Sequence, residues 1–238
     1  MDAKTGKYKW HYQTVPSDGW DLDGIGGFIM ADVQIEGKTR KVVMQAPKSG
    51  VFYIIDRTNG QFISAEPFVP INWATGFDKK NNGRPIINPA AFYDQNNVVV
   101  IYPGGGGAHN WAPMSFNPNT NLVYLPYSAG TYNFVAAAEP NPNAGGGAHG
   151  LGQAGQKPRT TPQPIWGPSQ EQLGRSGLQA RDVKTNTIKW VKQGRGGATG
   201  GGTLTTASNL VFQVAGNQST LYAYKADTGE ELLALPYN

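Results

Sequence analysis

The chain has 238 residues, including 32 glycines and 17 prolines, and it contains no cysteine. The lack of cysteine excludes disulfides, thiolate metal sites and haem attachment through a C-x-x-C-H motif within this span. The formal charge of +4 comes from scattered basic residues without a long run, which indicates an ordinary solvated surface and no nucleic-acid interface.

A strand–turn–strand pattern recurs five times along the chain. Every turn ends in Gly or Asn, the residues that reach positive φ at low cost. An Asp or Asn that begins such a turn can bond its own backbone two residues further on, so we predict hairpin turns. The five turns occupy residues 2–6, 56–60, 117–121, 182–186 and 225–229. The first turn is followed by a predicted strand at 7–10. The other four turns are flanked by predicted strands at 51–55 and 61–65, at 116 and 122–125, at 178–181 and 187–191, and at 221–224 and 230–235.

Two further hairpins are predicted between these units, with strands at 32–35 and 40–45 and at 203–206 and 210–214. The ends of the repeated turns lie 43 to 65 residues apart, and repeats of that size with about four strands each are typical of β-propeller blades. The predicted fold is therefore all-β: a β-propeller with about four blades, forming one incomplete domain over residues 1–238. An irregular β-sandwich is the alternative.

Several segments in combination resemble one enzyme family. Residues 10–21 read WHYQTVPSDGWD, residues 40–53 read RKVVMQAPKSGVFY, and DRTNG, NWATG and HNWAP follow at 56–60, 72–76 and 109–113. With the strand around Trp190 and residues 203–212, they resemble the PQQ-dependent (quinoprotein) alcohol dehydrogenases over nearly the whole chain. The resemblance implies about half of an eight-bladed propeller that holds pyrroloquinoline quinone and a metal ion on its axis and acts in the bacterial periplasm.

The resemblance also implies a reaction, the oxidation of a primary alcohol to an aldehyde, with electrons passing to a cytochrome c or a similar acceptor. This chemistry needs a base for the hydroxyl proton, an electrophile that polarises the quinone carbonyl, and a carbon that accepts hydride. The protein supplies the base and helps to polarise the carbonyl, and the cofactor accepts the hydride.

Asp21 matches the position of the family's base. A carboxylate suits this role when it lies within hydrogen-bond reach of the substrate hydroxyl and a nearby cation keeps it ionised. From the residues alone, Asp18, Asp21 and Asp23 fit turn-forming acids equally well, because Asp favours turns. The catalytic role of Asp21 is therefore implied by the resemblance alone.

Asp23 follows the predicted base by two residues. Carboxylates at this spacing can converge in a loop, and hard cations prefer several oxygen ligands. In the family that the chain resembles, an additional acid at this position is associated with members that use a lanthanide. We therefore expect Asp21 and Asp23 to bind a calcium or lanthanide ion. The alternative is that Asp23 only caps a turn.

Three residues are candidates for binding the quinone. Lys48, in the sequence PKSG, matches the position of a cation against the quinone oxygens, and a compact lysine charge there favours a general primary-alcohol enzyme. Asn110 and Trp111 match positions that approach the cofactor with an amide and a flat indole face. The alternatives are a solvated turn lysine and simple core packing of Trp111. His109 is expected to be structural, because the three histidines show no zinc-site spacing.

Two glycine-rich stretches, residues 104–107 and 196–202, lack the residue order of a phosphate-binding P-loop. They predict loops in which the backbone closely approaches a neighbour, such as the axial cofactor. Residues 133–168 are rich in Pro, Ala and Gly and poor in strands, which is typical of a functional or mobile segment.

Other functions remain open. A non-enzymatic propeller with PQQ-like repeats, acting as a binding scaffold, is the main alternative, and an RNA- or carbohydrate-binding β module is a weaker one. The combination of Asp21, Lys48, Asn110 and Trp111 argues against the scaffold. The chain begins inside a turn motif and the family's other calcium ligands lie upstream, so we expect the chain alone to be inactive. No apolar run of about 18 residues occurs, so no membrane-spanning segment is expected in this span.

Overall fold

The computed structural model describes residues 1–139, 155–168, 171, 174–197, 200–215 and 218–237. Within these residues the chain folds into small, mostly antiparallel sheets joined by tight turns, and short 3₁₀ helices occur between some of the strands. None of the described helices is long and apolar enough to cross a membrane. The predicted all-β class is confirmed.

The first sheet contains four antiparallel strands in chain order: β1 (Ile29–Ile35), β2 (Lys38–Gln45), β3 (Val51–Asp56) and β4 (Phe62–Pro67). The β1–β2 hairpin turns at Glu36 and Gly37, which both have positive φ, and this is the backbone that a tight two-residue hairpin requires. Residues 51–55 of the inner strand β3 are all buried, so this strand forms part of the core on both faces.

Short elements follow the first sheet. A hairpin contains β5 (Ala74–Asp78) and β6 (Arg84–Ile87), joined through a 3₁₀ helix at Lys79–Asn81, and a second 3₁₀ helix follows at Pro89–Ala91. Strand β7 (Val98–Ile101) then lies at the centre of a three-stranded sheet, antiparallel to β10 (Tyr132–Phe134) and parallel to β11 (Arg159–Thr160).

Two more four-stranded antiparallel sheets complete the described fold. One contains β8 (Ser115–Asn117), β9 (Leu122–Ser128), β12 (Ser176–Asp182) and β13 (Thr187–Gln193), in the order β13-β12-β9-β8. The last contains β14 (Thr203–Thr206), β15 (Leu210–Ala215), β16 (Thr220–Lys225) and β17 (Glu231–Pro236) in chain order. The sheets agree with a predicted repeat of about four strands.

The repeated turns have the predicted backbone. Gly6, Gly60, Asn121, Asn186 and Gly229 all have positive φ, between 54° and 76°. In the first four turns, the leading Asp or Asn oxygen accepts from the N–H two residues further on, at 3.1, 2.8, 2.9 and 2.8 Å. The fifth turn begins with a lysine, which cannot accept this bond.

Two turn-ending glycines also lie directly against tryptophan rings. A Cβ atom at Gly60 would lie 2.7 Å from the ring of Trp10, and one at Gly229 would lie 2.7 Å from the ring of Trp190. The indole nitrogen of Trp190 donates to the Ala226 carbonyl at 3.1 Å. Because Trp190 belongs to β13 and Gly229 joins β16 to β17, this contact ties two sheets together.

The strand predicted at residues 7–10 is wrong. No described strand forms a ladder with these residues, and without a partner ladder the backbone groups cannot form a β-strand. The segment is held through Trp10, whose ring covers Gly60 in the turn after β3.

The segment at residues 133–168 is partly structured. It contributes to β10 and forms β11, and Trp166 exchanges two backbone hydrogen bonds with Ile71, at 2.7 and 2.8 Å. Residues 140–154 of this segment lie outside the described residues.

Candidate active site

The loop that carries the three predicted acids begins with a structural aspartate. The two carboxylate oxygens of Asp18 accept from the backbone N–H groups of Trp20 and Leu22, each at 2.9 Å. Burial raises the pKa of Asp18, and the charges of Asp21 and Asp23 act in the same direction, against the two N–H donors. Asp18 is therefore a turn-forming acid, one of the two interpretations that the sequence allowed.

Asp21 lies between two fully buried residues, Trp20 and Leu22, and has a φ of 62°. The indole nitrogen of Trp20 donates to the Ala91 carbonyl at 2.9 Å and anchors this part of the loop. The left-handed backbone at Asp21 is one that Asp tolerates better than most residues. The side chain of Asp21 is 67% exposed, so its carboxylate is accessible while its backbone is fixed.

Lys48 joins both predicted metal ligands. Its ammonium nitrogen lies 3.0 Å from Asp21 Oδ1 and 2.7 Å from Asp23 Oδ1, although its own side chain is only 8% exposed. Burial lowers the pKa of Lys48, but the hydrogen bonds and the charges of Asp23 and Asp21 outweigh it, so the pKa lies above its ordinary value. The alternative of a solvated turn lysine is therefore wrong.

The first glycine-rich loop approaches Lys48 closely. A Cβ atom at Gly107 would lie 2.4 Å from Lys48 Cγ, and Gly107 has a φ of 80°. The next residue, Ala108, donates its N–H to the Lys48 carbonyl at 2.9 Å. The predicted close approach is confirmed for this loop, and the neighbour at Gly107 is the stem of Lys48. In the second loop, where residues 198–199 are not described, a Cβ at Gly202 would lie 2.5 Å from Pro113.

Asn110 and Trp111 follow on the same loop. Asn110 is buried; its amide nitrogen donates to the Gly106 carbonyl at 3.1 Å, and its Oδ1 atom has no hydrogen-bond partner among the described residues. Trp111 is 73% exposed, so the alternative that it packs in the core is wrong. A cavity of about 310 Å³ opens beside the loop and is lined by Gly104, Gly106, Gly107, Ser128, Gly130, Thr131 and Tyr132.

Sequence reasoning thus selected residues from three loops that meet. Asp21, Asp23 and Lys48 are in direct contact, and the loop of Asn110 and Trp111 touches Lys48 through Gly107. The quinone, catalytic and metal roles of these residues stay predictions. The sequence predicted a close approach by the loop but did not identify Gly107 as the residue that contacts Lys48. The run of four glycines shortly before HNWAP is the sequence feature that indicates this contact.

A larger cavity lies elsewhere. A groove of about 640 Å³ is lined mainly by apolar side chains, among them Trp10, Tyr12, Phe28 and Met30. Its lining contains no carboxylate and one strong base, Arg57, which already pairs with Asp32. Chemistry therefore favours the smaller site at Lys48 over the larger groove.

The donors suited to a metal ion are fewer than a complete site needs. Asp21 and Asp23 direct one oxygen each toward a single cation, the Lys48 ammonium, as converging carboxylates should. Among the described residues, no group of three or more His, Cys, Asp or Glu is placed to hold a metal. Calcium takes six to eight oxygen ligands, so these two acids form only part of such a site.

Comparison with known proteins agrees with this geometry. The PQQ family described as "Glucose/ethanol/alcohol dehydrogenase, beta-propeller domain" matches residues 1–75. The quinohemoprotein alcohol dehydrogenase of Comamonas testosteroni is 43% identical over 99% of this chain. Its crystal structure superposes with a TM-score of 0.79 at 41% identity, covering 98% of this chain. The resemblance to the PQQ-dependent alcohol dehydrogenases is confirmed.

Two other proteins extend the comparison. The "1-butanol dehydrogenase (cytochrome c)" of Thauera butanivorans is 39% identical over 98% of this chain. A europium-containing methanol dehydrogenase superposes with a TM-score of 0.74 at 25% identity, covering 95% of this chain and 37% of that structure. The chain spans 32% of both curated enzymes and 33% of the Comamonas structure. The incomplete β-propeller predicted from the turns is therefore confirmed, and its structural neighbours are propellers of quinoprotein alcohol dehydrogenases, as the resemblance implied.

Proposed function

We propose that this chain forms one side of the active site of a PQQ-dependent alcohol dehydrogenase that oxidises primary alcohols to aldehydes. The observation that carries the proposal is the buried ammonium of Lys48, held by both Asp21 and Asp23 at the junction of three loops. The similarity of the whole chain to quinohemoprotein alcohol dehydrogenases supports it.

The residues fit the quinone chemically. Lys48 offers a buried positive charge, which suits the carboxylate and carbonyl oxygens of pyrroloquinoline quinone. Asn110 offers a buried amide whose oxygen is unpaired, and Trp111 offers an exposed aromatic face. When bound, the quinone supplies the carbon that accepts hydride from the alcohol.

Asp21 is the proposed base. Its accessible carboxylate takes the hydroxyl proton of the alcohol, and the Lys48 ammonium lies 3.0 Å from one of its oxygens. The pKa of Lys48 is raised, so this side chain is protonated and would offer its positive charge to the oxygens of a bound quinone. Asp18 holds the loop that presents Asp21, through its two backbone contacts.

The full-length protein that contains this chain tests the base directly. Asp21→Asn keeps the size of the side chain and removes its basicity, so kcat is expected to fall by about 10²–10⁴-fold while pyrroloquinoline quinone still binds. Asp32→Asn is the matched control, because Asp32 also pairs with a cation, Arg57, at 2.6 Å but lies outside the site. Equal kcat in both variants would contradict the proposal, and a wild type that oxidises no alcohol would favour a binding scaffold.

We further propose that Asp21 and Asp23 contribute oxygen ligands to a calcium or lanthanide ion. The convergence of the two carboxylates supports this, with the remaining ligands supplied by other parts of the whole protein. Asp23→Ser in the full-length protein is expected to weaken lanthanide binding more than calcium binding, because the larger ionic charge gains more from a second carboxylate. Titration of both ions by calorimetry measures this, and an unchanged affinity ratio would reject the lanthanide preference.

We also propose an electron acceptor and a cellular location for the enzyme. The names of the two curated relatives, one a quinohemoprotein and the other cytochrome c-linked, support a cytochrome c or a similar haem group as electron acceptor. A periplasmic location is consistent with this chemistry. Reduction of added cytochrome c by the full-length protein and alcohol, measured by absorbance, tests the acceptor, and fractionation of the producing cells tests the location.

A further inference from the structure

His109 lies at the point where the three site loops meet. The imidazole is buried, with Nδ1 2.6 Å from the Ala46 carbonyl oxygen and Nε2 2.6 Å from the Ala112 carbonyl oxygen. Its Cε1 atom would lie 3.2 Å from a Cβ atom at Gly26. A single ring therefore touches three separate segments of the backbone.

Each of these segments carries residues of the proposed site. Ala46 precedes Lys48 by two residues, and Ala112 directly follows Trp111. Gly26 follows Asp23 by three residues, and a Cβ atom there would also lie 3.2 Å from the Asn110 carbonyl oxygen. The ring thus spans the gap between the loop of Lys48 and the loop of Asn110 and Trp111.

The contacts are hydrogen bonds in character. Both partners are backbone carbonyl oxygens, which only accept, so the ring must donate: a neutral imidazole donates to one of them and an imidazolium donates to both. Burial lowers the pKa of His109, and the bonds to the two carbonyls oppose this effect. In either protonation state, the distance between the two carbonyls is set by the width of the ring.

We infer that His109 is a positioning residue, which sets the distance between Lys48 and the pair Asn110 and Trp111 so that both sides meet one quinone. The inference rests on the proposed function of the site. His109 itself is surrounded by protein on both ring nitrogens and does not need to touch the cofactor.

His109→Phe in the full-length protein tests the inference, because phenylalanine keeps a ring and removes both ring nitrogens. The dissociation constant for pyrroloquinoline quinone, measured by fluorescence titration with saturating calcium, is expected to rise by about 10- to 100-fold, as when a supporting contact behind a binding residue is lost. His109→Gln retains an N–H donor and is expected to recover part of this affinity.

Gln179→Met is the matched control for a buried donor. Gln179 is fully buried and donates to the Phe68 carbonyl at 3.0 Å, so its replacement also removes a side-chain bond to a backbone carbonyl. We expect Gln179→Met to lower the midpoint of unfolding as much as His109→Phe does. Its dissociation constant for the quinone should nevertheless stay within about twofold of wild type.

A pair of neighbouring glycines tests the same inference by addition of a methyl group. Gly26→Ala pushes on His109 and on the Asn110 carbonyl, whereas a Cβ atom at Gly27 meets nothing within 4 Å. Gly26→Ala is expected to weaken quinone binding several-fold and Gly27→Ala to leave it unchanged.

The outcomes separate the two proposals. A wild-type protein that binds no pyrroloquinoline quinone would overturn the proposed function. Tight binding by the wild type that is retained in His109→Phe, or weakened equally in Gln179→Met, would overturn only the positioning role of His109.

Discussion

Two cation–carboxylate clusters beside the first sheet serve different purposes. The Arg57 guanidinium lies 2.6 Å from the Asp32 carboxylate and donates a hydrogen bond of 2.6 Å to the Ala31 carbonyl. It therefore links the turn after β3 to strand β1. Lys48 instead makes its side-chain ion pairs with two acids of a loop, and its ammonium bonds no strand. The Arg57 side chain is 30% exposed, against 8% for Lys48.

The difference supports a structural role for Arg57 and the functional role proposed for Lys48. Burial of an ammonium is costly, and the charge of Lys48 is offset by partners that stay largely in solvent, Asp21 and Asp23 at 67% and 49% exposure. Nothing in the sheet requires this arrangement, because Lys48 joins no strands through its side chain. A buried charge that faces accessible acids is typical of a site.

The largest effect is expected from exchanging the two cations for methionine in the full-length protein. Lys48→Met should lower kcat/KM for a primary alcohol by about 10²–10³-fold, because it removes the charge nearest the base. Arg57→Met should leave kcat/KM within about twofold of wild type and lower the free energy of unfolding by about 1–2 kcal/mol, through lost hydrogen bonds. Steady-state kinetics and denaturant titration check this, and the reverse pattern would contradict the division of roles.

A smaller effect is expected from the glycine that supports Lys48. Gly107→Ala places a methyl group against the Lys48 stem at a φ of 80°, so the free energy of unfolding should fall by about 1–2 kcal/mol from backbone strain and Lys48 should be displaced. Gly106→Ala is the control, since its Cβ atom would meet nothing within 4 Å. Denaturant titration and quinone affinity measure the pair, and equal behaviour would show that the close approach is unimportant.

The smallest effect concerns pH. The pKa of Lys48 is raised in the folded protein above its ordinary value of 10.5, so the stability that its charge contributes is fully present below pH 10.5 and is lost as pH rises through the folded pKa. The difference in unfolding free energy between wild type and Lys48→Met should therefore be constant from pH 7 to about 10. A difference that declines between pH 7 and 9 would contradict a protonated Lys48.

The hairpin turns were the most predictable part of the fold. Positive φ at Gly60 and Asn121 follows from residue type, and the bond from Asp56 to the N–H two residues on lies within the turn itself. Such features depend on a few neighbouring residues, which is why the sequence reveals them. The strand expected at residues 7–10 failed for the opposite reason, since a strand needs a partner from elsewhere in the chain.

The sequence selected candidate residues that the fold brings into contact, but it did not predict how each side chain is placed. Trp111 shows the limit: its type favours burial, yet it is 73% exposed, because the loop that carries it is fixed by His109 and turns the indole outward to solvent. The contacts of His109 were also not predictable, since a single histidine in a sequence does not indicate that its ring will meet backbone carbonyls from two separate loops.

The sequence by itself determined the all-β class, the repeat of hairpin turns, and the resemblance that selects Asp21, Asp23 and Lys48. Apart from that resemblance, residue type and spacing left Asp18, Asp21 and Asp23 equivalent, as three acids within six residues. Only the tertiary structure separated them: Asp18 accepts N–H groups of its own loop, whereas Asp21 and Asp23 meet an ammonium from a residue 25 or more positions away. Local hydrogen bonds depend on nearby backbone, but burial and ion pairing depend on which distant segments the fold brings into contact.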